Sequence, residues 1–361
     1  MKIFHVEAAN SSEVIKIEKY LSSSTNRFWE RITDAMRKIP KISGYVTTYD
    51  CIRQSYPYEK CIKSLLRFCS EVCVVDGGSK DGTWERLQEL AQLHPEIKTK
   101  QISRDWNSPR FAVFDGAQKA EARKMCTGEF CWQADCDEVF HEDDTKAIHQ
   151  LCFITHADIV ALPVIEYWGG PNKVRIDVTP WKWRLTRNKP YITHGIPKEL
   201  RRVDESGNLY SLPGSDGCDF IHNETFERIP FVGFYTQEAD NARRAALQGN
   251  KDALKAYEKW INEIIKGLPA AYHYSWYDIE RKIKLYRDYW QKHWDNLSNN
   301  NECDTIANNK FFDVPWSAVT DEMIKERALE LATKTGGHIF HSKWNGQCTP
   351  FINCYKMEPK D

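Results

Sequence analysis

The stretch Val72-Cys73-Val74-Val75-Asp76-Gly77-Gly78-Ser79-Lys80-Asp81-Gly82-Thr83 decides the fold of this chain. Its first four residues form a continuous apolar run, which is typical of a strand that is buried in a parallel sheet. The glycines permit a tight turn and a close approach of the backbone to a ligand. Ser79 or Asp81 is placed to cap a helix predicted over residues 83–93, and the first turn of such a helix favours anions. A well-capped turn without a ligand explains the glycines equally well, but Asp76 can also accept hydrogen bonds from a base or a ribose.

Strands and helices alternate on both sides of this stretch. The predicted strands cover residues 42–48, 72–75, 98–102 and 130–134, and the predicted helices cover residues 58–68, 83–93 and 114–125. Such alternation predicts an α/β fold with a mainly parallel, Rossmann-like sheet and helices on both faces. Ligands bind at the carboxyl ends of the strands in these sheets. Asp76 and Asp135 both follow strand ends, so we expect them at one edge.

Asp135-Cys136-Asp137-Glu138 follows the strand predicted over residues 130–134. Residues i and i+2 of a strand share a face, so Asp135 and Asp137 are expected to aim at the same site. Adjacent carboxylates raise each other's pKa, so a positive partner is expected beside them. Mg²⁺ or Mn²⁺ is the simplest partner, and these ions usually hold a substrate phosphate as well. The motif therefore predicts chemistry on a diphosphate, with Glu138 fixing the turn.

The flanking segments differ from this alternating region. Residues 160–235 contain two predicted strands, 174–178 and 181–185, which we interpret as a mixed sheet edge with long loops. The remaining predicted helices cover residues 237–266, 276–295 and 320–334. Residues 1–40 are predicted to form a helical extension, and an oligomer formed through it is left open.

Composition excludes several classes of protein. The 361 residues carry a formal net charge of -1, which argues against binding of nucleic acid. No apolar run is long enough to span a membrane, and the N-terminus lacks the apolar core of a secretory signal, so a soluble, cytoplasmic protein is expected. The 12 cysteines are expected to be reduced, and the absence of a CxxC pair makes a structural zinc site improbable.

Several motifs together resemble the family 2 glycosyltransferases, which have the GT-A fold. The resemblance spans residues 42–140, and its motifs are Thr47-Thr48-Tyr49-Asp50, the stretch from Val74 to Thr83, Ala122-Arg123-Lys124 with Gly128-Glu129, and Asp135-Cys136-Asp137-Glu138. It implies transfer of a sugar from a nucleoside diphosphate sugar to a glycan or other hydroxyl acceptor, with Mn²⁺ or Mg²⁺ and mostly with inversion. The first motif departs from the usual Pro-x-Tyr-Asn or Thr-Phe-Asn, which leaves the contribution of Asp50 open.

The resemblance also implies a set of site residues. Asp76 is expected to contact the nucleoside, Asp135 the ribose or the ion, and Asp137 the metal, while Arg123 reaches the base or a phosphate. The residues expected to bind the nucleotide-sugar are Thr47, Tyr49, Asp50, Asp76, Gly78, Arg123, Asp135 and Cys136.

Two further segments complete the expected site. His273, in Ala271-Tyr272-His273-Tyr274, is similar to the histidine with which GT-A enzymes often complete the metal site, although an aromatic core segment also explains it. Glu199 is our first choice for the catalytic base, with Asp219 and Asp216 as alternatives. A solvated loop acid explains each of these three equally well.

Two other functions are weighed against glycosyl transfer. A sugar nucleotidyltransferase needs a Gly-rich, basic loop after the first strand, and residues 47–53 contain no Gly. A non-catalytic glycan-binding protein on the same fold is favoured by a degraded DxD motif, whereas here the motif is intact. We therefore divide the chain into the extension at 1–40, a glycosyltransferase domain at 41–275 and a helical C-terminal region at 276–361. Within the domain, residues 41–140 are the nucleotide-binding half and 141–275 the acceptor-side half.

Overall fold

The computed structural model describes residues 39–104, 115–171, 173–176, 178, 180–194, 202–203, 209–210, 220–224, 229, 231–233, 236–290 and 311–334. The helical extension predicted for residues 1–40 lies outside them, except for its last two residues.

Twelve strands occur in the described residues. They are β1 (Ile42–Thr48), β2 (Glu71–Asp76), β3 (Ile97–Gln101), β4 (Phe130–Ala134), β5 (Glu138–Phe140), β6 (Ile159–Trp168), β7 (Trp181–Arg187), β8 (Ile192–His194), β9 (Arg202–Val203), β10 (Leu209–Tyr210), β11 (Phe220–His222) and β12 (Ala271–Trp276). One sheet has the order β3-β2-β1-β4-β7-β6-β12-β5. Only β7 and β5 run against the direction of the other strands in it. The predicted mainly parallel sheet is therefore confirmed.

Helices cover both faces of this sheet. The helices are α1 (Tyr58–Leu65), α2 (Thr83–Leu93), α3 (Gly116–Lys124), α4 (Thr145–Ile154), α5 (Gln237–Leu247), α6 (Lys251–Gly267), α7 (Ile279–Leu285) and α8 (Asp321–Lys334). Alternate residues of a strand point to opposite faces. Val46 and Val74 accordingly pack in the same cluster as α1, α2 and α4, whereas Tyr45 and Cys73 pack against Ala122 of α3. This confirms the predicted helices on both faces.

The prediction that residues 160–235 form a sheet edge was wrong for β7. This strand lies inside the sheet between β4 and β6, and it buries Arg184, Leu185 and Thr186. The β6–β7 pairing skips Arg184, because Val160 lies opposite Leu185 and Ala161 lies opposite Trp183. β7 thus contains a bulge at Arg184. Polar alternation suggested an edge, but Arg184 of β7 is buried and pairs with Asp135 and Glu138 instead of facing water.

The strand predicted at residues 174–178 is also absent from the described part of that segment. Only Val174 forms a bridge, to Tyr167. Val174 and Ile176 both pack in the cluster formed by α6, β6 and β12, which explains why apolar residues alternate here. In contrast, β6 is a ten-residue buried strand that the sequence analysis did not assign.

The C-terminal helices follow the predictions with two breaks. The helix predicted over residues 237–266 is interrupted at Gly249, which has φ +91°, and Asn250 caps α6 by accepting from the N–H groups of Asp252 and Ala253. The helix predicted from residue 276 starts later, because β12 occupies residues 271–276. Helix α8 agrees with its prediction within one residue and packs with α7 and Trp168 in one cluster. Within the described residues, no helix combines the length and the apolar character that crossing a membrane requires.

Candidate active site

Three neighbouring strands end at one edge of the sheet. Thr48 of β1 pairs with Asp76 of β2, and Val46 pairs with Ala134 of β4. Asp50 and Asp135 follow directly, so the topology brings the predicted acids to a common edge. The glycine-rich turn after β2 lies there too, with φ of +89° at Gly78 and +94° at Gly82.

Asp76 is the centre of this turn. Its Oδ1 accepts hydrogen bonds from the N–H groups of Gly78 (3.0 Å) and Ser79 (2.8 Å) and from the amide of Gln101 (3.0 Å). Its Oδ2 accepts from the hydroxyls of Thr48 (3.0 Å) and Ser79 (2.6 Å). A carboxylate offers about four lone pairs, so these five donors occupy it. In this arrangement Asp76 shapes the turn.

Of the two predicted caps of α2, Asp81 bonds to the first turn of the helix and Ser79 does not. The Asp81 carboxylate accepts from the N–H and the hydroxyl of Thr83, at 3.1 and 2.6 Å. Ser79 instead accepts from the N–H of Asp50 and donates to Asp76, which ties the two turns together.

Asp50 and Tyr49 line a cavity of about 970 Å³. Asp50 accepts from the N–H of Lys80 at 2.8 Å, has φ +43°, and lies 3.5 Å from the Tyr289 hydroxyl. Arg281 and Tyr289, from α7 and the turn after it, line the opposite wall. This volume is at the upper end of the roughly 300–1,000 Å³ usual for ligand sites. The cavity therefore has room for a nucleotide beside the predicted binding loop.

The expectation that Asp135 and Asp137 share one strand face was wrong. β4 ends at Ala134, and residues 135–138 form a turn in which Glu138 donates its N–H to the Asp135 carbonyl. The Glu138 side chain accepts from the N–H of Asp135 at 3.2 Å, as its predicted turn-fixing role requires. The two aspartates consequently contact different partners.

Three cations surround Asp135. Lys119 lies 2.7 Å from Oδ1, while Arg184 and Lys182 lie 2.8 and 3.3 Å from Oδ2. Arg184 also pairs with the fully buried Glu138. Burial alone would raise the pKa of Asp135, but Lys119, Arg184 and Lys182 together hold this pKa well below its usual value. The positive partner expected from the sequence is thus supplied largely by the protein itself.

Asp137 faces His273 across the β5–β12 junction. The Nε2 atom of His273 lies 3.1 Å from Oδ1 of Asp137, and its Nδ1 lies 3.8 Å from the carboxylate of Glu166. Burial lowers the pKa of His273, but Asp137 outweighs burial and raises this pKa to about 9. Asp137 itself has a lowered pKa, since its pairing with His273 outweighs its burial.

These residues fit a divalent cation. Asp135, Glu138 and His273 each place a ligand atom within 4.8 Å of one another. The Nδ1 atom of His273 is buried without a hydrogen bond. Carboxylate and imidazole ligands together suit Mn²⁺. Arg184 already pairs with both Asp135 and Glu138. His273, together with the adjacent Asp137, is therefore better suited to hold a cation than those two acids.

The remaining predicted residues are placed as follows. Thr47 is buried and donates to Asp115 at 3.4 Å. The neighbouring Cys51 and burial together raise the pKa of the Cys136 thiol. The structure does not bring Arg123 to the site: its guanidinium donates to the Thr186 hydroxyl and the Arg187 carbonyl, at the opposite edge of the sheet. Glu199, Asp216 and Asp219 lie outside the described residues.

Sequence reasoning missed the charged residues contributed by remote elements. Lys119, Lys182 and Arg184 reach Asp135, and Glu166 reaches His273. The sequence does contain an indication that Glu166 has a special role, because it is the one acid in the apolar run of β6. The eight described cysteines are free, as expected for a reduced protein.

One protein family matches this part of the chain. The sequence model described as Glycosyl transferase family 2 matches residues 46–202. This range includes the end of β1, all of β2 to β4, the turn at Asp76 and the acids Asp135 and Asp137. These residues therefore match the model of a family 2 glycosyltransferase domain.

Known proteins resemble the chain more distantly. A chondroitin synthase of Escherichia coli is 28% identical over 123 residues, which are 32% of this chain and 16% of that relative. The chain thus spans only a small part of this curated relative. TarS 1-349 of S. aureus, in complex with UDP, has a TM-score of 0.33 at 16% identity and covers 62% of this chain and 71% of its own. The mannosyltransferase PcManGT of Pyrobaculum calidifontis, in complex with GDP-Man and Mn²⁺, has a TM-score of 0.30 at 13% identity. The alignment covers 89% of this chain and 87% of the mannosyltransferase chain. At these scores neither structure assigns a role to a residue of this chain.

Proposed function

We propose that this chain transfers a sugar from a nucleoside diphosphate sugar to a hydroxyl acceptor, with inversion and with a divalent cation held by Asp137 and His273. The observation that carries the proposal is this pair, 3.1 Å apart at the same sheet edge as the Asp76 turn, in a family 2 domain. Mn²⁺ is our first choice of ion and Mg²⁺ the second. The partial match to a chondroitin synthase makes a glycan our first choice of acceptor.

The protein's own residues divide the work of holding the donor. Asp76 fixes the turn, and its link through Ser79 positions Asp50, which lines the cavity as an acceptor for the nucleoside. Tyr49 lies beside Asp50 in the cavity wall, and Arg104 covers the Tyr49 ring at 5.1 Å. The cation, when bound, supplies a Lewis acid for the charge on the leaving diphosphate.

The acceptor hydroxyl needs a general base. Glu199 remains our proposed base, with Asp219 and Asp216 as alternatives. A carboxylate in this role typically contributes a factor of about 10²–10⁴ to the rate.

A panel of nucleotide-sugars with Mn²⁺ tests the proposal. We expect one donor to raise the melting temperature of the wild type in a metal-dependent way and to be hydrolysed slowly. Asp137→Ala should abolish both effects. Glu199→Gln should keep the thermal shift and lower glycosyl transfer by at least ~10²-fold.

Asp143→Asn is the matched control, because this carboxylate is 75% exposed and lies away from the sheet edge. It should behave like the wild type. The proposal fails if no nucleotide-sugar binds with Mn²⁺, or if Asp137→Ala binds the donor as the wild type does.

A further inference from the structure

Lys282 is a buried cation that has no carboxylate partner among the residues that the structure describes. It lies in α7 and is only 7% exposed. Its ammonium donates one hydrogen bond, to the Tyr56 hydroxyl at 3.2 Å. Among the described residues it forms no ion pair, whereas Lys284 on the same helix pairs with Glu280 and Asp321. An ammonium group has three N–H donors, so two of those on Lys282 have no hydrogen-bond acceptor in the described part of the chain.

Aromatic rings partly compensate for this burial. The Lys282 Nζ atom lies 5.5 Å from the ring centre of Tyr56, 6.0 Å from that of Trp276 and 5.5 Å from that of Tyr286. Each such contact contributes about 0.5–2 kcal/mol. Rings stabilise a cation, but they do not accept its hydrogen bonds as an anion does. The arrangement therefore holds the ammonium in place and leaves it able to bind an anion.

The residues near Lys282 indicate which anion it could bind. Of the acids near it, Asp137 acts most strongly on its charge and Glu166 less strongly. Tyr56, which receives its hydrogen bond, also lies within electrostatic reach of both Asp137 and Arg281. Lys282 is thus next in sequence to Arg281, which lines the cavity, and the candidate metal ligand Asp137 is the carboxylate that affects its charge most.

We propose that Lys282 binds the diphosphate of the donor and remains on it as the nucleoside diphosphate leaves. This inference rests on the proposed function and adds a catalytic residue to it. Lysine binds phosphate oxygens as a compact charge, and its N–H donors can rotate to follow a group that moves. The bond from the anomeric carbon to the diphosphate oxygen breaks, and its electron pair stays on the diphosphate. The acceptor hydroxyl oxygen forms the new bond to the anomeric carbon and gives its proton to the general base. Lys282 then faces the extra negative charge.

Nucleotide titrations test this role. Calorimetry with Mn²⁺ would compare UDP, GDP, ADP and dTDP, and the monophosphate of whichever base binds best. In Lys282→Met we expect the affinity for the diphosphate to fall at least ten-fold, and that for the monophosphate less than three-fold. Removal of a buried, unpaired charge should also leave the melting temperature of the nucleotide-free protein unchanged or higher.

Lys266→Met is the control, because Lys266 is an exposed lysine near the end of α6. It should leave both affinities unchanged. Equal diphosphate affinity in Lys282→Met and wild type would overturn the inference and leave the proposed function standing. If Lys282→Met lowers the affinities for the diphosphate and the monophosphate equally and also lowers the melting temperature, the role of Lys282 is packing. That result would also overturn the inference. If the wild type binds none of the four diphosphates, the proposed function fails and the inference with it.

Discussion

At the scale of single residues, the two acids of the nucleotide edge are held differently. Asp76 is fully buried and its oxygens are occupied by five donors from the turn. Asp50 uses one oxygen for the Lys80 N–H and has the other near Tyr289 at the cavity wall. One carboxylate therefore builds the loop, and the other faces the space where a ligand fits.

Substituting the two acids should separate these roles. Asp76→Asn replaces one acceptor oxygen by an amide that faces donors, and an unpaired buried polar group costs roughly 1–3 kcal/mol. We expect the free energy of unfolding in urea to fall by about that amount. Asp50→Asn keeps an oxygen for Lys80, and Asn tolerates the positive φ at this position.

Asp50→Asn should therefore change stability little but weaken binding of the donor found in the nucleotide panel. Equal stability of Asp76→Asn and wild type would contradict the structural role given to Asp76.

At the scale of elements, Glu71 joins strands at the opposite edge of the sheet. It begins β2 and accepts from the Ser43 hydroxyl of β1 and from the N–H and hydroxyl of Thr127 before β4. Lys98 of β3 pairs with its other oxygen. Burial alone would raise the pKa of Glu71, but these partners lower it to about 2.

Glu71→Gln should show a pH-dependent loss of stability. The folded-state pKa lies below the unfolded value near 4.5, so the stabilisation is complete above that pH and is lost as the pH falls toward 2. At about 1.4 kcal/mol per pKa unit, a shift from 4.5 to about 2 corresponds to a loss of at most about 3.5 kcal/mol at pH 7. Urea unfolding at pH 7 and at pH 3 measures it.

Glu89→Gln is the control for this series, because that side chain is 59% exposed although it also pairs with an arginine. It should change stability by less than about 0.5 kcal/mol at either pH. A Glu71→Gln effect that is the same at both pH values would contradict the assignment.

Local signals in the sequence predicted the elements on which the site begins. The apolar run before Asp76 and the glycines after it are short-range features, so β2, its turn and α2 were confirmed within a residue or two. The place of β7 was not predictable in the same way, because it depends on pairing with strands about 20 and 50 residues earlier in the chain. The cations on Asp135 come mostly from that strand, and they were missed for the same reason.

At the scale of the whole molecule, α8 supports the wall of the site. Its Asp321 pairs with Lys284 and Arg287, and Ile324 and Ala328 pack with Ile283 of α7. The Trp168 indole at the end of β6 donates to the Leu331 carbonyl of α8 at 3.1 Å. The helix that carries Lys282 is thus held between the sheet and α8.

Ile324→Ala should report on this support. Ile324 is fully buried, and truncation of such a side chain costs about 2–5 kcal/mol. We expect that loss in urea unfolding, together with weaker diphosphate binding because α7 loses part of its packing. Leu329→Ala on the same helix is the control, since Leu329 is 66% exposed, and it should change neither measurement. Unchanged stability in Ile324→Ala would show that α8 is not part of the folded unit.

The bulge at Arg184 makes this part of the chain sensitive to length. Because β7 has one residue more than the β6 segment it pairs with, Arg184 and Leu185 are consecutive and both buried. Deleting one residue here would give a regular ladder, and it would turn the residues before it, including Lys182, to the other face of the sheet. Insertions and deletions should therefore be tolerated in the loop that precedes Trp181 but not between Trp181 and Leu185.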